Sequence, residues 1–199
     1  MILFMDKLNK YKAAGLKIGL LGGSFDPPHE GHLFISKDAL KRFGLDCVWW
    51  IVAKKNTLKE NKPHDFNERI TWCENLTKNE PNVLVLDVEK NIKSHDTIDV
   101  LRSIKKNYDN EYFWIMGSDS FFTLDQWPGW EKILNLAKII VYDRPNFLFE
   151  SNKERVSFKL KKYQRTFPEF QCATTAAWTL IKADTPNISS TELRKNIKK

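Results

Sequence analysis

Short apolar runs alternate with amphipathic segments along most of this chain, and no other feature constrains its fold as strongly. Six runs rich in β-branched and aromatic residues have the length of strands, at residues 17–22, 46–53, 82–88, 112–117, 138–143 and 176–183. Strands that alternate with helices favour a parallel sheet with helices on both faces and right-handed crossovers. We therefore expect an α/β fold, a Rossmann-like doubly wound sheet of five to six mainly parallel strands.

Helical spacing of apolar side chains predicts helices over residues 31–43, 65–78 and 97–108. Gly44 suits the end of the first helix, because glycine readily adopts the left-handed conformation found there. Asp65 and Asp96 suit the starts of the other two, because a short acidic side chain accepts hydrogen bonds from unpaired helix amides. Residues 145–175 are polar, basic and only vaguely helical.

The chain of 199 residues is long enough to bury a substantial core. We expect one domain over residues 17–199, preceded by an N-terminal extension of residues 1–16. No apolar run approaches the roughly 20 residues of a membrane helix, and no basic segment precedes the apolar start as in an export signal. We expect a cytoplasmic location and no membrane partner. The three cysteines, Cys47, Cys73 and Cys172, are predicted to be partly buried thiols.

The net charge of +7 favours a polyanionic partner, such as a nucleotide or a nucleic acid. The lysines are scattered, and the aromatic signature of RNA-recognition domains does not occur in the sequence. Small nucleotides are therefore the expected partners, and no nucleic acid is expected. A homo-oligomer is compatible with the sequence.

The segment "GGSFDPPHEGH", residues 22–32, joins the first predicted strand to the first predicted helix. Doubly wound sheets bind ligands at the carboxyl ends of their strands, where this segment begins. Gly22 and Gly23 allow close approach to the backbone, and the amides near Ser24 and Phe25 can face an anion. The segment matches neither GxGxxG nor GxxxxGK[ST], which argues against a dinucleotide redox domain and a P-loop NTPase.

His29 and His32 lie three positions apart where the loop meets the helix, so both imidazoles can project to one side. Together with the helix-start amides near Gly31, they are suited to clamp a phosphate. Two alternatives are open. The histidines can be structural residues of a tight turn, or they can join Asp26 in a metal site, although two histidines are too few for a usual zinc site.

The loop resembles the HxGH loop of the nucleotidylyltransferase superfamily. Its longer form, GG(S/T)F(D/N)PxH, resembles that of the bacterial nicotinate-nucleotide adenylyltransferases. Further stretches are similar to motifs of this family in the same order along the chain, and these are "WWIVAKKNTLK" (49–59), "MGSDSFFTLDQWPGW" (116–130) and "ISSTELR" (188–194). Departures from the family pattern are Thr57 in place of Pro, Lys93 and Ser94 in place of a Tyr-Thr pair, and Asn146 in place of Gly.

The resemblance implies an enzyme of NAD biosynthesis that transfers the adenylyl group of ATP to nicotinate mononucleotide, with deamido-NAD and pyrophosphate as products. It implies Mg²⁺ as the cofactor, held mainly by the ATP phosphates with Asp119 as a further candidate ligand, and no dedicated protein metal site. Nicotinamide mononucleotide and pantetheine phosphate are alternative acceptors. An alternative of another class is a non-catalytic RNA-binding module with this type of fold.

The resemblance also assigns roles to individual residues. His32 would contact the α-phosphate of ATP, and Trp127 would stack on the nicotinate ring. The catalytic residues would be His29, His32, Lys59 and Arg194. ATP would be bound by Gly22, Gly23, Ser24, Phe25, His29, His32, Gly117, Asp119, Arg144, Ile188, Ser189, Ser190, Thr191 and Arg194. The mononucleotide would be bound by Ser24, Phe25, Asn56, Lys59, Ser94, Thr97 and Trp127.

Overall fold

The computed structural model describes residues 15–54, 63–90, 92, 94, 96–143, 156–184, 186, 188, 190, 193 and 194. Its strands are β1 (Lys17–Gly23), β2 (Cys47–Val52), β3 (Val83–Leu86), β4 (Glu111–Gly117), β5 (Lys138–Tyr142) and β6 (Trp178–Ile181). They form one sheet with the order β3-β2-β1-β4-β5-β6, in which all neighbours are parallel. The predicted doubly wound α/β fold is confirmed, and residues 178–181 supply its sixth strand.

Six α-helices occur in the described part of the chain: α1 (Glu30–Phe43), α2 (Phe66–Thr77), α3 (Thr97–Asn107), α4 (Ser118–Phe122), α5 (Val156–Leu160) and α6 (Phe167–Cys172). Gly44 ends α1 in the left-handed conformation, at φ 61°. Asp65 caps α2 by accepting hydrogen bonds from the amides of Asn67 and Glu68. Asp96 occupies the cap position of α3 but makes no capping bond through its side chain. Two short helices, α5 and α6, lie in the described part of residues 145–175, where the sequence is only vaguely helical.

Apolar layers cover both faces of the sheet, because alternate residues of each strand point to opposite faces. Trp49 and Trp114 pack on one face with α3, while Trp50 and Phe113 pack on the other with α1, α2 and α6. Every residue of β2 is buried. A strand covered on both faces can be apolar at every position, which explains why its sequence shows no alternation.

The carboxyl ends of β1, β2 and β4 lie at one edge of the sheet, since the strands are parallel. β1 pairs with β2 on one side and with β4 on the other, so the strand order reverses at this point. Such a reversal leaves a crevice at the carboxyl edge, because the connections leave the sheet in opposite directions. The loop of residues 22–32 begins there.

The three cysteines were expected to be partly buried thiols. All three cysteines are free thiols, but only Cys47 and Cys73 are buried, and Cys172 is exposed on the last turn of α6. Burial raises the pKa of the Cys73 thiol, which keeps it protonated.

No helix among the described residues is long and apolar enough to cross a membrane. Residues 1–14 of the expected N-terminal extension lie outside the described residues, so the domain boundary stays a prediction.

Candidate active site

Phe25 shapes the loop that follows β1. Its backbone is in the left-handed region, at φ 47°, which is unusual for a residue other than glycine. Its side chain is buried and stacks on Trp50, with ring centroids 4.9 Å apart and an interplanar angle of 13°. The same ring lies 4.9 Å from that of His32. Burial of a large aromatic ring offsets the backbone strain and fixes one side of the His32 imidazole.

Position 22 has room only for glycine, because the ring of Trp114 lies against it. A Cβ atom at this position would lie 2.6 Å from the ring of Trp114. Trp114 also meets Trp127 edge-to-face, with ring centroids 6.5 Å apart. The sequence suggested that Gly22 makes room for a ligand, and the structure adds that it makes room for Trp114. Through this ring, β1 supports the side chain that is expected to stack on the nicotinate.

His29 and His32 cap α1 reciprocally. The Nδ1 atom of His29 accepts a hydrogen bond from the amide of Gly31 at 3.2 Å, and the Nδ1 atom of His32 accepts one from the amide of His29 at 3.1 Å. The ring centroids are 3.8 Å apart. This is the arrangement of a capping box, in which two side chains satisfy helix-start amides in both directions.

The capping box fixes the tautomers of both imidazoles. A backbone amide can only donate, so each Nδ1 atom that accepts from it lacks a proton. The neutral rings therefore carry their proton on Nε2, and that nitrogen can donate a hydrogen bond to a phosphate oxygen. One of the helix-start amides that were expected to face an anion is already bonded within the protein. The amide of Gly31 does not face an anion, because the His29 side chain already occupies it.

Gly31 makes the capping box sterically possible. A Cβ atom there would lie 2.9 Å from Nδ1 of His29, closer than real Cβ atoms approach, and 3.0 Å from Cε1 of the same ring. The glycine of the HxGH sequence is thus explained by the ring of the first histidine. The alternative that the histidines are structural is correct in part, since their side chains cap the start of α1.

The C-terminal motif docks onto the same loop. Ser190 donates a hydrogen bond from its hydroxyl to the carbonyl of Pro27 at 2.9 Å. Arg194 donates to the carbonyl of Asp26, and its Nη1 lies 3.6 Å from the Asp26 carboxylate. Asp26 is 5% exposed, and its other carboxylate oxygen lies 2.6 Å from Nδ1 of His64. The residues expected to bind phosphate are thereby brought against residues 26–29.

The neighbours of Asp26 argue against the metal-site alternative. Its carboxylate faces Arg194 and His64, and the described residues contain no group of three or more side chains suited to hold a metal ion. A cation adjacent to a guanidinium would be repelled. Asp26 therefore serves to join the loop to two distant segments of the chain.

The remaining described candidates lie at the same sheet edge or beside it. Gly117 ends β4 and occupies the cap position of α4, and the partly buried Asp119 follows in the first turn. Thr97 begins α3, and the hydroxyl of Ser94 accepts a hydrogen bond from the amide of Asp96 at 3.2 Å. A cleft is lined by His29, Gly31, His32, Ile35, Tyr142, Pro186 and Ile188. Asn56, Lys59, Arg144, Ser189 and Thr191 lie outside the described residues.

Sequence reasoning missed Arg69, which is buried to 1% exposure on the inner face of α2. Its guanidinium donates to the carbonyl groups of Ser24, Ala53, His64 and Lys54. The signal in the sequence was an arginine at a position where helical spacing requires a residue facing the core. Burial lowers the pKa of Arg69, whereas the charges of Asp26 and Glu89 raise it.

Comparisons with known proteins agree with the motifs. A family model described as cytidylyltransferase-like matches residues 20–196. A protein of Ruegeria sp. (strain TM1040) is 35% identical over 191 residues, which cover 90% of this chain and 97% of that relative. A protein of Methylorubrum extorquens (strain PA1) is 37% identical over 184 residues, which cover 90% of this chain and 99% of that relative. Both relatives carry the name "Probable nicotinate-nucleotide adenylyltransferase".

Solved structures show the same fold. A Plasmodium falciparum nicotinic acid mononucleotide adenylyltransferase, complexed with NaAD, superimposes with a TM-score of 0.69 at 18% identity. The match covers 90% of this chain and 83% of that chain. At this identity the likeness concerns the arrangement of strands and helices.

Proposed function

This chain belongs to the cytidylyltransferase-like family, and we propose that it transfers the adenylyl group of ATP to nicotinate mononucleotide. The products are deamido-NAD and pyrophosphate, and the reaction is a step of NAD biosynthesis. Relatives named for this activity share 35–37% of their residues with the chain over nine-tenths of its length. The observation in the structure that supports the proposal best is the capped histidine pair, whose Nε2 atoms are set as donors beside the C-terminal motif.

The proposed chemistry needs little covalent assistance from the protein. The 5′-phosphate of nicotinate mononucleotide attacks the α-phosphorus of ATP, and the bond from this phosphorus to the oxygen between the α- and β-phosphates breaks, so that this oxygen leaves with pyrophosphate. Catalysis then depends on holding two anions in line and stabilising the charge that develops on the transferred group. His32 is proposed to donate from Nε2 to the α-phosphate, and His29 to the phosphates next to it.

The same loop is proposed to bind the other groups of the substrates. Backbone amides of Ser24 and Phe25 would face phosphate. Trp127, which Trp114 contacts edge-to-face, would stack on the electron-poor pyridine ring. Arg194 would act from its position against Asp26, either on phosphate or by holding the loop. Lys59 and Asn56 follow β2 in the sequence and are proposed to reach the same edge.

ATP is proposed to enter as its magnesium complex. The phosphate oxygens of the nucleotide supply most of the ligands that Mg²⁺ prefers, so a protein can bind the complex without a metal cluster of its own. Asp119 follows the carboxyl end of β4, and its carboxylate is proposed to lie nearest to the magnesium. The ion would neutralise charge on the departing pyrophosphate.

The compartment and the partners follow from the same chemistry. We propose a cytoplasmic enzyme, since three free thiols suit a reducing compartment, and its partners would be the two small nucleotides. The net charge of +7 then serves to attract anionic substrates.

The experiment that tests the function is a comparison of acceptors. Pyrophosphate release is measured with magnesium, ATP and either nicotinate mononucleotide, nicotinamide mononucleotide or pantetheine phosphate. We expect rapid release with nicotinate mononucleotide and slower release with the other two. Faster release with nicotinamide mononucleotide or with pantetheine phosphate would replace the proposed acceptor. A folded protein that releases no pyrophosphate with any of them, but binds RNA with a steep salt dependence, would overturn the proposal.

A further inference from the structure

Arg69 is the most deeply buried charged side chain in the described part of the chain, at 1% exposure. A buried guanidinium is costly unless its donors are satisfied, and its five N–H groups form a planar fork. Here Nη1 donates to the carbonyls of Ser24 at 2.6 Å and Ala53 at 2.7 Å, and Nε donates to the carbonyl of His64 at 3.0 Å. Nη2 donates to the carbonyl of Lys54 at 3.4 Å.

These acceptors belong to segments that the sheet order brings together. Ser24 lies in the loop after β1, Ala53 and Lys54 follow β2, and His64 lies just before α2. The amide of Lys54 is held in addition by the buried carboxylate of Glu89, at 2.7 Å. One guanidinium therefore joins three segments at the edge where the substrates are proposed to bind.

The bond to Ser24 has a consequence for the next residue. The Ser24 carbonyl and the Phe25 N–H belong to one planar trans peptide, so they point in opposite directions. Because the carbonyl of Ser24 points toward Arg69 of α2, the Phe25 amide must point away from this side chain. Phe25 cannot readjust freely, because its ring is buried against Trp50.

We propose that Arg69 is a positioning residue for adenylyl transfer, which aims the Phe25 amide at substrate phosphate through its bond to the Ser24 carbonyl. The same side chain also donates to the carbonyls of Ala53, Lys54 and His64. This inference rests on the proposed function. It assigns to Arg69 no contact with either substrate.

The test compares two conservative exchanges of buried cations, Arg69→Lys and Lys138→Arg. Lys138 is 9% exposed and bonds Glu111 at 2.5 Å, at the opposite, amino end of the strands. Lysine keeps the charge at position 69 but lacks the fork that reaches several carbonyls at once. We expect kcat/KM of Arg69→Lys to fall about 10²-fold, as for other small displacements of catalytic groups. Lys138→Arg should keep the wild-type value, even where its melting temperature falls.

A second readout does not depend on activity. The ¹H–¹⁵N resonance of the Phe25 amide is recorded with and without inorganic pyrophosphate as the probe. Arg69→Lys should shift this resonance in the free protein and weaken its response to pyrophosphate, while Lys138→Arg should do neither. An unmoved Phe25 resonance in folded Arg69→Lys would overturn the inference, and so would equal kcat/KM in the two variants. If the wild-type protein has no adenylyltransferase activity, the proposed function fails, and the resonance alone then decides whether Arg69 orients the amide.

Discussion

The two ends of helix α1 satisfy their unpaired backbone groups in different ways. At the start, imidazole nitrogens of His29 and His32 accept from helix amides, although histidine is not among the preferred capping residues. At the end, Gly44 adopts the left-handed conformation and its amide donates to the carbonyl of Leu40. A left-handed glycine is a common way to end a helix and serves its stability. The histidines at the start also carry a second ring nitrogen that can act on a ligand.

A second polar group near the end of α1 strengthens the contrast. Asp38 receives two hydrogen bonds from Arg42, each at 2.8 Å, and one from the buried hydroxyl of Tyr142 at 2.7 Å. These groups satisfy one another and tie the helix to β5. The end of α1 thus has polar groups that bond within the protein, whereas its start carries the two histidines that we propose to act on a ligand.

Replacing His32 by alanine should have the largest effect on catalysis. The change removes one donor to the transferred group, which costs about 10²–10³ in kcat, or about 2.7–4 kcal/mol. It also removes one capping bond, so unfolding should become easier by about 1 kcal/mol. Pyrophosphate release and thermal unfolding measure the two effects. A loss of kcat no larger than the loss of folded protein would contradict the contrast between the ends.

Gly31→Ala should uncouple rate from stability. The new methyl group displaces the His29 ring, and we expect kcat to fall about 10²-fold with the loss of that donor. Alanine is the better helix former by about 1 kcal/mol, which offsets the lost capping bond. The melting temperature should therefore stay close to that of the wild type. Unchanged kinetics would show that the capping box is not needed for catalysis.

Gly44→Ala is the matched change at the other end of the same helix. Its φ of 61° is costly for a residue with a Cβ atom, although nothing lies within 4 Å of the added methyl group. The free energy of unfolding should fall by about 1–2 kcal/mol. Both kcat and KM should be those of the wild type, measured at a temperature where the variant is folded. A kinetic effect as large as that of Gly31→Ala would remove the distinction between the ends.

Asp38→Asn should have the smallest effect, confined to stability and its acid dependence. Burial raises the pKa of Asp38, but the hydrogen bonds of Arg42 and Tyr142 outweigh it and hold the pKa below its ordinary value. A lowered pKa contributes stability above the unfolded pKa, and this contribution is lost as the pH falls through the folded pKa, below about pH 4. We expect a cost of about 1 kcal/mol at neutral pH, since the carboxylate is largely but not fully buried.

The acid dependence separates this change from an ordinary packing defect. Stability of the wild type and of Asp38→Asn is measured by denaturant unfolding between neutral pH and the acid limb. The two curves should converge as Asp38 becomes protonated. Parallel curves would mean that the Asp38 charge contributes nothing.

Much of the fold and part of the site could be predicted from local patterns. Strand and helix spacing indicated all six strands and α1 to α3, and the confirmed family followed from motifs that are contiguous in sequence. The spacing of His29 and His32 indicated that both rings can project to one side, and their centroids are 3.8 Å apart. The partner of each ring nitrogen was not predictable, because it depends on the dihedral angles of the loop. For the same reason the sequence did not show that the amide of Gly31, at the helix start expected to face an anion, donates to His29.

The sequence by itself determined the order and type of the elements and the place of the four motifs, because hydrophobic period and motif spacing are local properties. Only the tertiary structure decided which distant groups meet at the sheet edge. Arg194 reaches Asp26 across 168 positions, and Arg69 reaches Ser24 across 45. The contact of Arg69 follows from the strand order, which places the ends of β1 and β2 side by side, and from the cost of burying a guanidinium whose donors are unpaired. No spacing in the chain encodes either condition.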